Sequence, residues 1–223
     1  LNLADFYERA RPTRRTMERL ALVGALDSLG GGPATRGDIV ARARQLNRLK
    51  NRPQHDPNQP MLDLEFLETL PRGNAEMTAD ERVAVELEIL KMDVTEHAIE
   101  KYRPMLEEMG VVHSSELVGL CNKTEVLIAG IRVATQTPPM RSGKRVVFVS
   151  LDDGTGCSDS TFFEDAQQRC SHILFNTKYL LISGKTRRTG VKGVSIMAEN
   201  AWDLRQLYKE WVARKEQPTL EVA

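Results

Sequence analysis

The stretch that decides the fold reads EVLIAGIRVATQT at residues 125–137, KRVVFVSL at 144–151 and GCSDSTFF at 156–163. The first segment is long, rich in Val, Ile and Thr, and interrupted by Gly130. A long strand with an internal glycine can bend there, as the first strand of a tight barrel must. Residues 152–155 (DDGT) separate the next two segments and predict a β-hairpin, because glycine readily adopts positive φ in such turns.

One helix and two further strands complete the pattern. Residues 164–172 (EDAQQRCSH) predict one or two helical turns, with acidic residues at the N-terminal end that the helix dipole favours. Residues 178–186 (KYLLISGKT) and 194–202 (VSIMAENAW) each predict a strand. Five strands with one helix between the third and fourth predict an OB-fold, a small barrel that commonly binds single-stranded nucleic acid. Another small antiparallel sheet would explain the strands but not the position of the helix.

The two loops with which an OB-fold usually binds its ligand are rich in Arg and Lys. No acidic residue lies between residues 132 and 145, or between residues 184 and 193. Because Lys and Arg neutralise phosphates, these loops predict salt-dependent binding of a nucleic-acid backbone, and a solvated basic surface is the alternative. The candidate phosphate-binding residues are Arg132, Arg141, Lys144, Arg145, Lys185, Arg187, Arg188 and Lys192.

Two aromatic residues are candidates for stacking on bases. Phe148 and Phe162 lie in the second and third predicted strands, where OB-folds often stack bases. The strand pattern leaves open whether either side chain faces the core instead. Aromatic residues make up 5% of the chain, which limits how many bases the protein could stack.

Composition excludes several other classes of protein. The 223 residues contain 31 Lys and Arg and 31 Asp and Glu, so the basic loops are a local feature of a neutral chain. The three cysteines and four histidines lack the spacing of a zinc site or a disulfide framework. No run approaches about 18 apolar residues. We therefore expect a cytoplasmic protein without a metal site or a membrane segment.

Helical patterns precede and follow the predicted barrel. TADE at residues 78–81 is a capping box that begins a helix, and GGGP at residues 30–33 ends one. The overall prediction is an α+β chain in which N-terminal helical segments lead into a five-stranded OB-fold β-barrel and a C-terminal helix. The predicted divisions are 1–50, helical; 51–77, a linker or loop; 78–120, a helical connector; 121–204, the OB-fold domain; and 205–223, a C-terminal helix and tail.

Several segments also carry a resemblance to a known family. Residues 18–29 (ERLALVGALDSL) contain a Gly-Ala-Leu-Asp turn, and residues 126–134 (VLIAGIRVA) and 180–185 (LLISGK) lie in the barrel. The most specific piece is ATQTPPMRSG at residues 134–143. Together they resemble the end of the helix-hairpin-helix region and the OB-fold of bacterial C-family DNA polymerases. These are the α subunits of polymerase III and their error-prone relatives, and the error-prone branch is the more similar.

The resemblance implies a function in DNA replication, DNA repair and translesion synthesis. It implies that the OB-fold binds the single-stranded template within a DNA-directed DNA polymerase, a nucleotidyltransferase. It also implies partners, namely single-stranded DNA, the remaining polymerase domains, a sliding clamp and a damage-response accessory protein. The first residue is Leu1 rather than Met, and we expect the chain to be part of a longer protein.

The same resemblance sets limits on chemistry. The family polymerises with Mg²⁺ held by aspartates of a palm domain, and no palm is present in these residues. We therefore expect no catalytic residue, no metal site and no cofactor here. Asp152 and Asp153 fall on the predicted hairpin turn, which explains them better than metal binding does. The usual His-Pro-Leu of the family is His97-Ala98-Ile99 here, so we expect His97 to cap a helix or to pack.

Other functions stay open on the sequence. A stand-alone single-strand-binding protein would use the same loops without a polymerase parent. A protein-interaction OB-fold would dock an acidic partner on them. The anticodon-binding OB-fold of a tRNA synthetase has no synthetase motif to accompany it in these residues.

Overall fold

The computed structural model describes residues 2–30, 33–50, 73–138, 145–188, 190 and 193–216. The chain divides into two compact units, Leu1–Glu96 and His97–Ala223. The predicted linker at 51–77 and tail at 205–223 lie partly outside the described residues. In the described part of the chain, no helix has the length and apolar character that crossing a membrane requires.

The N-terminal unit is built from helices around a small apolar core. Met17 and Ala21 are buried together with Ile39 where the second and third helices pack. The predicted capping box is confirmed, because the Glu81 backbone donates to Thr78 and the Thr78 backbone donates to Glu81. The described helices of this unit are α1 (Leu3–Ala10), α2 (Arg14–Leu22), α3 (Arg36–Lys50) and α4 (Ala79–Ile89).

A connecting segment precedes the barrel in the C-terminal unit. It contains α5 (Arg103–Glu108) between two 3-10 turns at Glu100–Tyr102 and Leu117–Gly119. The boundary between the two units therefore falls inside residues 78–120, so that α4 belongs to the first unit and α5 to the second.

The predicted five-stranded barrel is confirmed. The strands close in the order β1-β2-β3-β5-β4, and only β3 and β5 pair in parallel. The predicted helix between the third and fourth strands is present and is 13 residues long. The elements are β1 (Glu125–Gln136), β2 (Val147–Asp152), β3 (Cys157–Phe162), α6 (Glu164–Asn176), β4 (Tyr179–Arg188), β5 (Val194–Asp203) and α7 (Leu204–Glu216).

Strand β1 closes the barrel because it belongs to two pairings. It pairs with β4 from Glu125 to Ile131 and with β2 from Ile131 to Gln136. Gly130 lies at this change of partner, where a Cβ atom would stand 2.7 Å from the Asp152 carbonyl oxygen. The absent side chain therefore permits the close approach of β2, which agrees with the bend predicted at this glycine.

The barrel core is largely apolar, and α6 packs against it. Each fully buried aliphatic or aromatic side chain contributes about 1.5–3 kcal/mol relative to exposure. Helix α6 contributes Ala166, Cys170 and Leu174 to this core. The strands contribute Val126, Ile128, Val147, Val149, Leu151, Phe162, Leu180, Ile182, Ile196, Ala198 and Ala201.

The predicted C-terminal helix is present as α7 and packs on the connecting segment through aromatic rings. Tyr208 meets Tyr102 edge-on with 5.0 Å between ring centroids, and it stacks on Trp211. The Trp211 indole N–H donates to Glu108 at 3.0 Å, and the Lys215 ammonium pairs with the same carboxylate. These contacts anchor α7 against α5.

Candidate nucleic-acid interface

Outward-facing side chains form a row across all five strands of the barrel. Because side chains alternate along a strand, residues paired in register share a face. Phe148 is 38% exposed and Met197 is 42% exposed, so the row presents two large apolar side chains to solvent. We call it the outer row, and its members in spatial order from β1 to β4 are Gln136, Phe148, Thr161, Met197 and Lys185.

The two aromatic candidates have opposite orientations. Phe148 lies on the outer row and is partly exposed, so it stays a candidate for stacking. Phe162 is 0% exposed and belongs to the barrel core. The prediction that Phe162 stacks on a base is therefore wrong, because a fully buried ring offers no face to a ligand.

Arg132 has a structural partner within the barrel. Its guanidinium donates to the carbonyl oxygen of Leu174, near the end of α6. The last carbonyls of a helix lack partners within the helix, and a cation there also complements the helix dipole. Arg132 therefore caps the end of α6, and its predicted phosphate contact stays a prediction.

Lys185 is flanked by two carboxylates. Its ammonium lies 3.4 Å from Glu125 Oε1 and 3.5 Å from Glu199 Oε1. The hydrogen bond to Glu125, followed by the charge of Glu199, raises the pKa of Lys185 above its ordinary value. The ammonium therefore stays protonated, but much of its charge is balanced before any phosphate approaches.

Arg187 and Arg145 are exposed cations on strands that carry the outer row or just before them. Arg187 pairs in register with Ser195 near the end of β4, and Arg145 precedes β2 by two residues. Among the described residues, neither side chain has a hydrogen-bond or ion-pair partner. The remaining predicted cations, Arg141, Lys144 and Lys192, lie outside the described residues.

Arg188 differs from its neighbour, because its guanidinium binds the chain that leads into the barrel. It donates to the carbonyl oxygens of Leu120 and Val118, each at 3.0 Å. Its backbone N–H donates to Asn122 Oδ1 at 3.1 Å. These contacts give Arg188 a structural role, and its predicted phosphate contact stays a prediction.

We expect Arg188→Ala to lower the free energy of unfolding by about 1–2 kcal/mol, since two hydrogen bonds to carbonyls are lost. Arg187→Ala should change it by less than about 0.5 kcal/mol, because its side chain is exposed. Both tryptophans of the chain, Trp202 and Trp211, lie in the C-terminal unit. Tryptophan fluorescence during urea unfolding therefore reports on this unit. Equal destabilisation by the two substitutions would contradict the structural role of Arg188.

A buried carboxylate fastens the β2–β3 turn to the connecting segment. Asp153 accepts hydrogen bonds from the backbone of Ser114 at 2.7 Å, of Thr155 at 2.9 Å and of Gly156 at 3.1 Å. Burial raises the pKa of Asp153, but these bonds outweigh burial and hold the pKa below its ordinary value. Among the described residues, no cluster of three or more His, Cys, Asp and Glu could hold a metal. The hydrogen bonds to Thr155 and Gly156 are the turn chemistry that the sequence predicted for this acid.

His97 packs on the same turn. Its ring lies about 3.0 Å from the position that a Cβ atom of Gly154 would occupy. Its Nε2 is 3.6 Å from Asp152 Oδ1. The expectation that His97 is a packing residue is confirmed by these contacts.

Sequence reasoning missed the polar pair that lies beside the outer row. Ser150 faces Asp159 in the β2–β3 register, and the Ser150 hydroxyl donates to Asp159 Oδ1 at 2.6 Å. Both residues are two positions from outer-row members, Phe148 on β2 and Thr161 on β3, so all four share a face. The spacing of two positions is visible in the sequence, but only the hairpin register shows that Ser150 and Asp159 face each other.

Comparison with known proteins relates the chain to bacterial DNA polymerases. A protein named error-prone DNA polymerase from Symbiobacterium thermophilum is 32% identical over 189 residues, which cover 78% of this chain and 17% of the relative. DNA polymerase III subunit alpha of Xylella fastidiosa is 26% identical over 243 residues, which cover 96% of this chain and 20% of the relative. The chain thus spans a fifth or less of the length of these relatives. No protein-family model matches it.

Solved structures give only partial likenesses. A mitochondrial single-stranded DNA binding protein of Saccharomyces cerevisiae, Rim1, covers 37% of this chain at 12% identity with a TM-score of 0.31. The hypothetical protein ygiW of Escherichia coli covers 41% at 14% identity with a TM-score of 0.31. TM-scores this low support no inference about function.

Proposed function

The chain is homologous over most of its length to bacterial error-prone DNA polymerases and DNA polymerase III alpha subunits, and from that premise we propose that its barrel binds single-stranded DNA. The observation that carries the proposal is the outer row, which exposes Phe148 and Met197, together with the exposed cations Arg187, two positions beyond Lys185 on β4, and Arg145, two residues before β2. An aromatic platform flanked by cations is the combination that single-strand binding requires.

The mechanism we propose is one of position rather than catalysis. A base stacks on Phe148, while Arg145 and Arg187 hold neighbouring phosphates. Stacking on an aromatic side chain is worth about 1–3 kcal/mol per base, and phosphate contacts add a salt-dependent term. In the parent polymerase this strand is the template, and the barrel keeps it extended outside the active site.

The polymerase context is a further part of the proposal. Because the chain spans a fifth or less of its relatives, we propose the remaining polymerase domains as partners and DNA synthesis, including synthesis past damage, as the activity of the whole protein. Mg²⁺ would act in the palm of that protein, and no cofactor is proposed for this chain. A sliding clamp and an accessory protein remain predictions from the resemblance, and a cytoplasmic location remains a prediction from composition.

Two observations favour this function over the alternatives. Homology to polymerases along most of the chain favours a polymerase segment over a stand-alone single-strand-binding protein. The outer face also carries carboxylates, since Asp159 lies beside the outer row and Glu125 and Glu199 flank Lys185. An acidic protein partner would meet these charges, whereas a DNA strand can direct its bases toward them.

The test compares two exposed phenylalanines. We expect Phe148→Ala to weaken binding of a fluorescent oligo-dT of about 12 nucleotides by about 5- to 100-fold, the equivalent of one stacked base. Phe175→Ala is the matched control, because Phe175 is 50% exposed and belongs to α6 rather than to an outer-row strand. Fluorescence anisotropy measures both affinities, and urea unfolding confirms that both variants fold. Equal affinities for the two variants would contradict the proposed platform.

A further inference from the structure

We propose that Asp159, oriented by Ser150, selects among bases, so that the outer face of the barrel prefers cytosine to thymine. This inference rests on the proposed function and gives the same site a base preference. The elements that carry it are the position of the pair beside Phe148, the hydrogen bond within it, and the chemistry that distinguishes the two pyrimidines.

The pair lies where the edge of a stacked base would reach. Phe148 faces Thr161 across the β2–β3 hairpin, and Ser150 faces Asp159 one same-face position further along. Phe148 and Asp159 are therefore diagonal neighbours on one face, and such neighbours lie about 7–8 Å apart at their backbones. A pyrimidine on the Phe148 ring spans much of that distance and presents its edge to the carboxylate.

The hydrogen bond leaves one carboxylate oxygen available. The Ser150 hydroxyl donates to Asp159 Oδ1 at 2.6 Å, which holds this oxygen toward Ser150. Among the described residues, no donor is found for Asp159 Oδ2. This oxygen is an acceptor with negative charge, held on the same exposed face as the aromatic ring.

Cytosine and thymine differ at the position that such an acceptor would read. Cytosine carries an amino group at C4, and a carboxylate accepts a hydrogen bond from it. Thymine carries a carbonyl oxygen at C4, and its one donor on that edge, the N3–H, is flanked by two carbonyl oxygens that repel the carboxylate. Because both pyrimidines stack similarly, the carboxylate sets the preference between them and Phe148 does not.

The negative charge also constrains how the strand lies. Asp159 on β3 repels phosphates, whereas Arg187 attracts them. Arg187 lies on β4, where it pairs in register with Ser195 of β5. The strand can satisfy both only with its bases toward Asp159 and its backbone toward the arginines. The carboxylate thus orients the strand with its bases toward the barrel, which a purely cationic surface would not do.

The experiment compares oligo-dC with oligo-dT of equal length, about 12 nucleotides, at one salt concentration and neutral pH by fluorescence anisotropy. We expect the wild-type chain to bind oligo-dC about tenfold more tightly, the effect of one charge-assisted hydrogen bond. Asp159→Asn should bring the ratio of the two affinities close to one. Asp165→Asn on α6 removes the same charge from an exposed position and should leave the ratio unchanged.

The ratio separates base reading from a structural role. A cross-strand pair that only stabilises the hairpin would change the free energy of unfolding on mutation and leave the ratio alone. A wild-type ratio of one, or a preference that survives in Asp159→Asn, would overturn this inference. If oligo-dT still bound through Phe148, the proposed function would stand. If neither oligonucleotide bound, both would fall.

Discussion

Gly184→Ala should lower the free energy of unfolding of the barrel by about 3 kcal/mol, at the upper end of what overpacking a core costs. A Cβ atom there would lie 2.3 Å from the Met197 carbonyl oxygen and 2.9 Å from the Ala198 Cα. Both obstacles are backbone atoms of β5, which pairs with β4 on either side of a bulge between Ser183 and Gly184. Gly184 is required because a side chain there would push β5 away. Such a shift would break the β4–β5 hydrogen bonds that help to close the barrel.

Urea unfolding followed by tryptophan fluorescence measures this loss. Gly119→Ala is the matched control, because a Cβ atom at Gly119 would meet nothing within 4 Å. This control should unfold at nearly the wild-type urea concentration, within about 0.5 kcal/mol. If Gly184→Ala were equally stable, the close packing of β4 on β5 would be incorrect.

The second large effect is expected for Asp153→Asn. We expect this substitution to lower the free energy of unfolding by about 2–3 kcal/mol at neutral pH, because it disrupts a buried set of charge-assisted hydrogen bonds. Asp153 is 6% exposed, and both of its carboxylate oxygens act as hydrogen-bond acceptors, Oδ2 from Ser114 and Oδ1 from Thr155. An asparagine replaces one of these acceptor oxygens with an amide NH2 group. This donor would face another donor, the backbone N–H of Ser114 or of Thr155, and no hydrogen bond could form. The turn and the connecting segment would then lose their link.

The loss should depend on pH. Because the folded pKa of Asp153 is below its ordinary value, its contribution is fully present above the unfolded value of about 3.9 and is lost as pH falls through the folded pKa. The wild type should therefore lose more stability than Asp153→Asn when the pH is lowered from about 5 to about 3. Asp165→Asn serves as the exposed control. Parallel pH curves for wild type and Asp153→Asn would contradict the role of this carboxylate.

The barrel could be predicted because local signals agree with the fold. Gly130 marks the bend of β1, the Asp-Gly turn marks the β2–β3 hairpin, and the acids at 164 and 165 mark the start of α6. Each signal depends on residues close in sequence. The order of five strands and one helix then leaves few other closed arrangements.

The orientation of the phenylalanines could not be predicted in the same way. On β3 the inward positions are Ser158, Ser160 and Phe162, so small polar residues occupy the core face of that strand. The usual alternation of apolar and polar residues is therefore absent on β3. Only the register with β2 shows that Phe162 points inward while Phe148 points outward.

The structural contacts of the arginines could not be predicted either, because their partners are distant in sequence. Arg187 and Arg188 are adjacent and look equivalent in the sequence, yet only Arg188 contacts carbonyl oxygens, at Val118 and Leu120. Arg132 contacts Leu174, which is 42 positions away. Carbonyl groups brought together by the tertiary fold have no signature in a local run of residues, so charge clusters alone overstate a phosphate-binding surface.

The most direct test of the central claim is the salt dependence of oligo-dT binding by the unmodified chain. If the barrel holds a single strand through exposed cations, the logarithm of the association constant falls linearly with the logarithm of salt concentration. Because each single-strand phosphate contact contributes about −0.7, Arg145 and Arg187 alone give an expected slope of about −1.4, and five contacts that include Arg141, Lys144 and Lys192 give about −3.5. Binding that is absent, or that is unchanged from about 50 to about 400 mM salt, would contradict a single-strand-binding barrel.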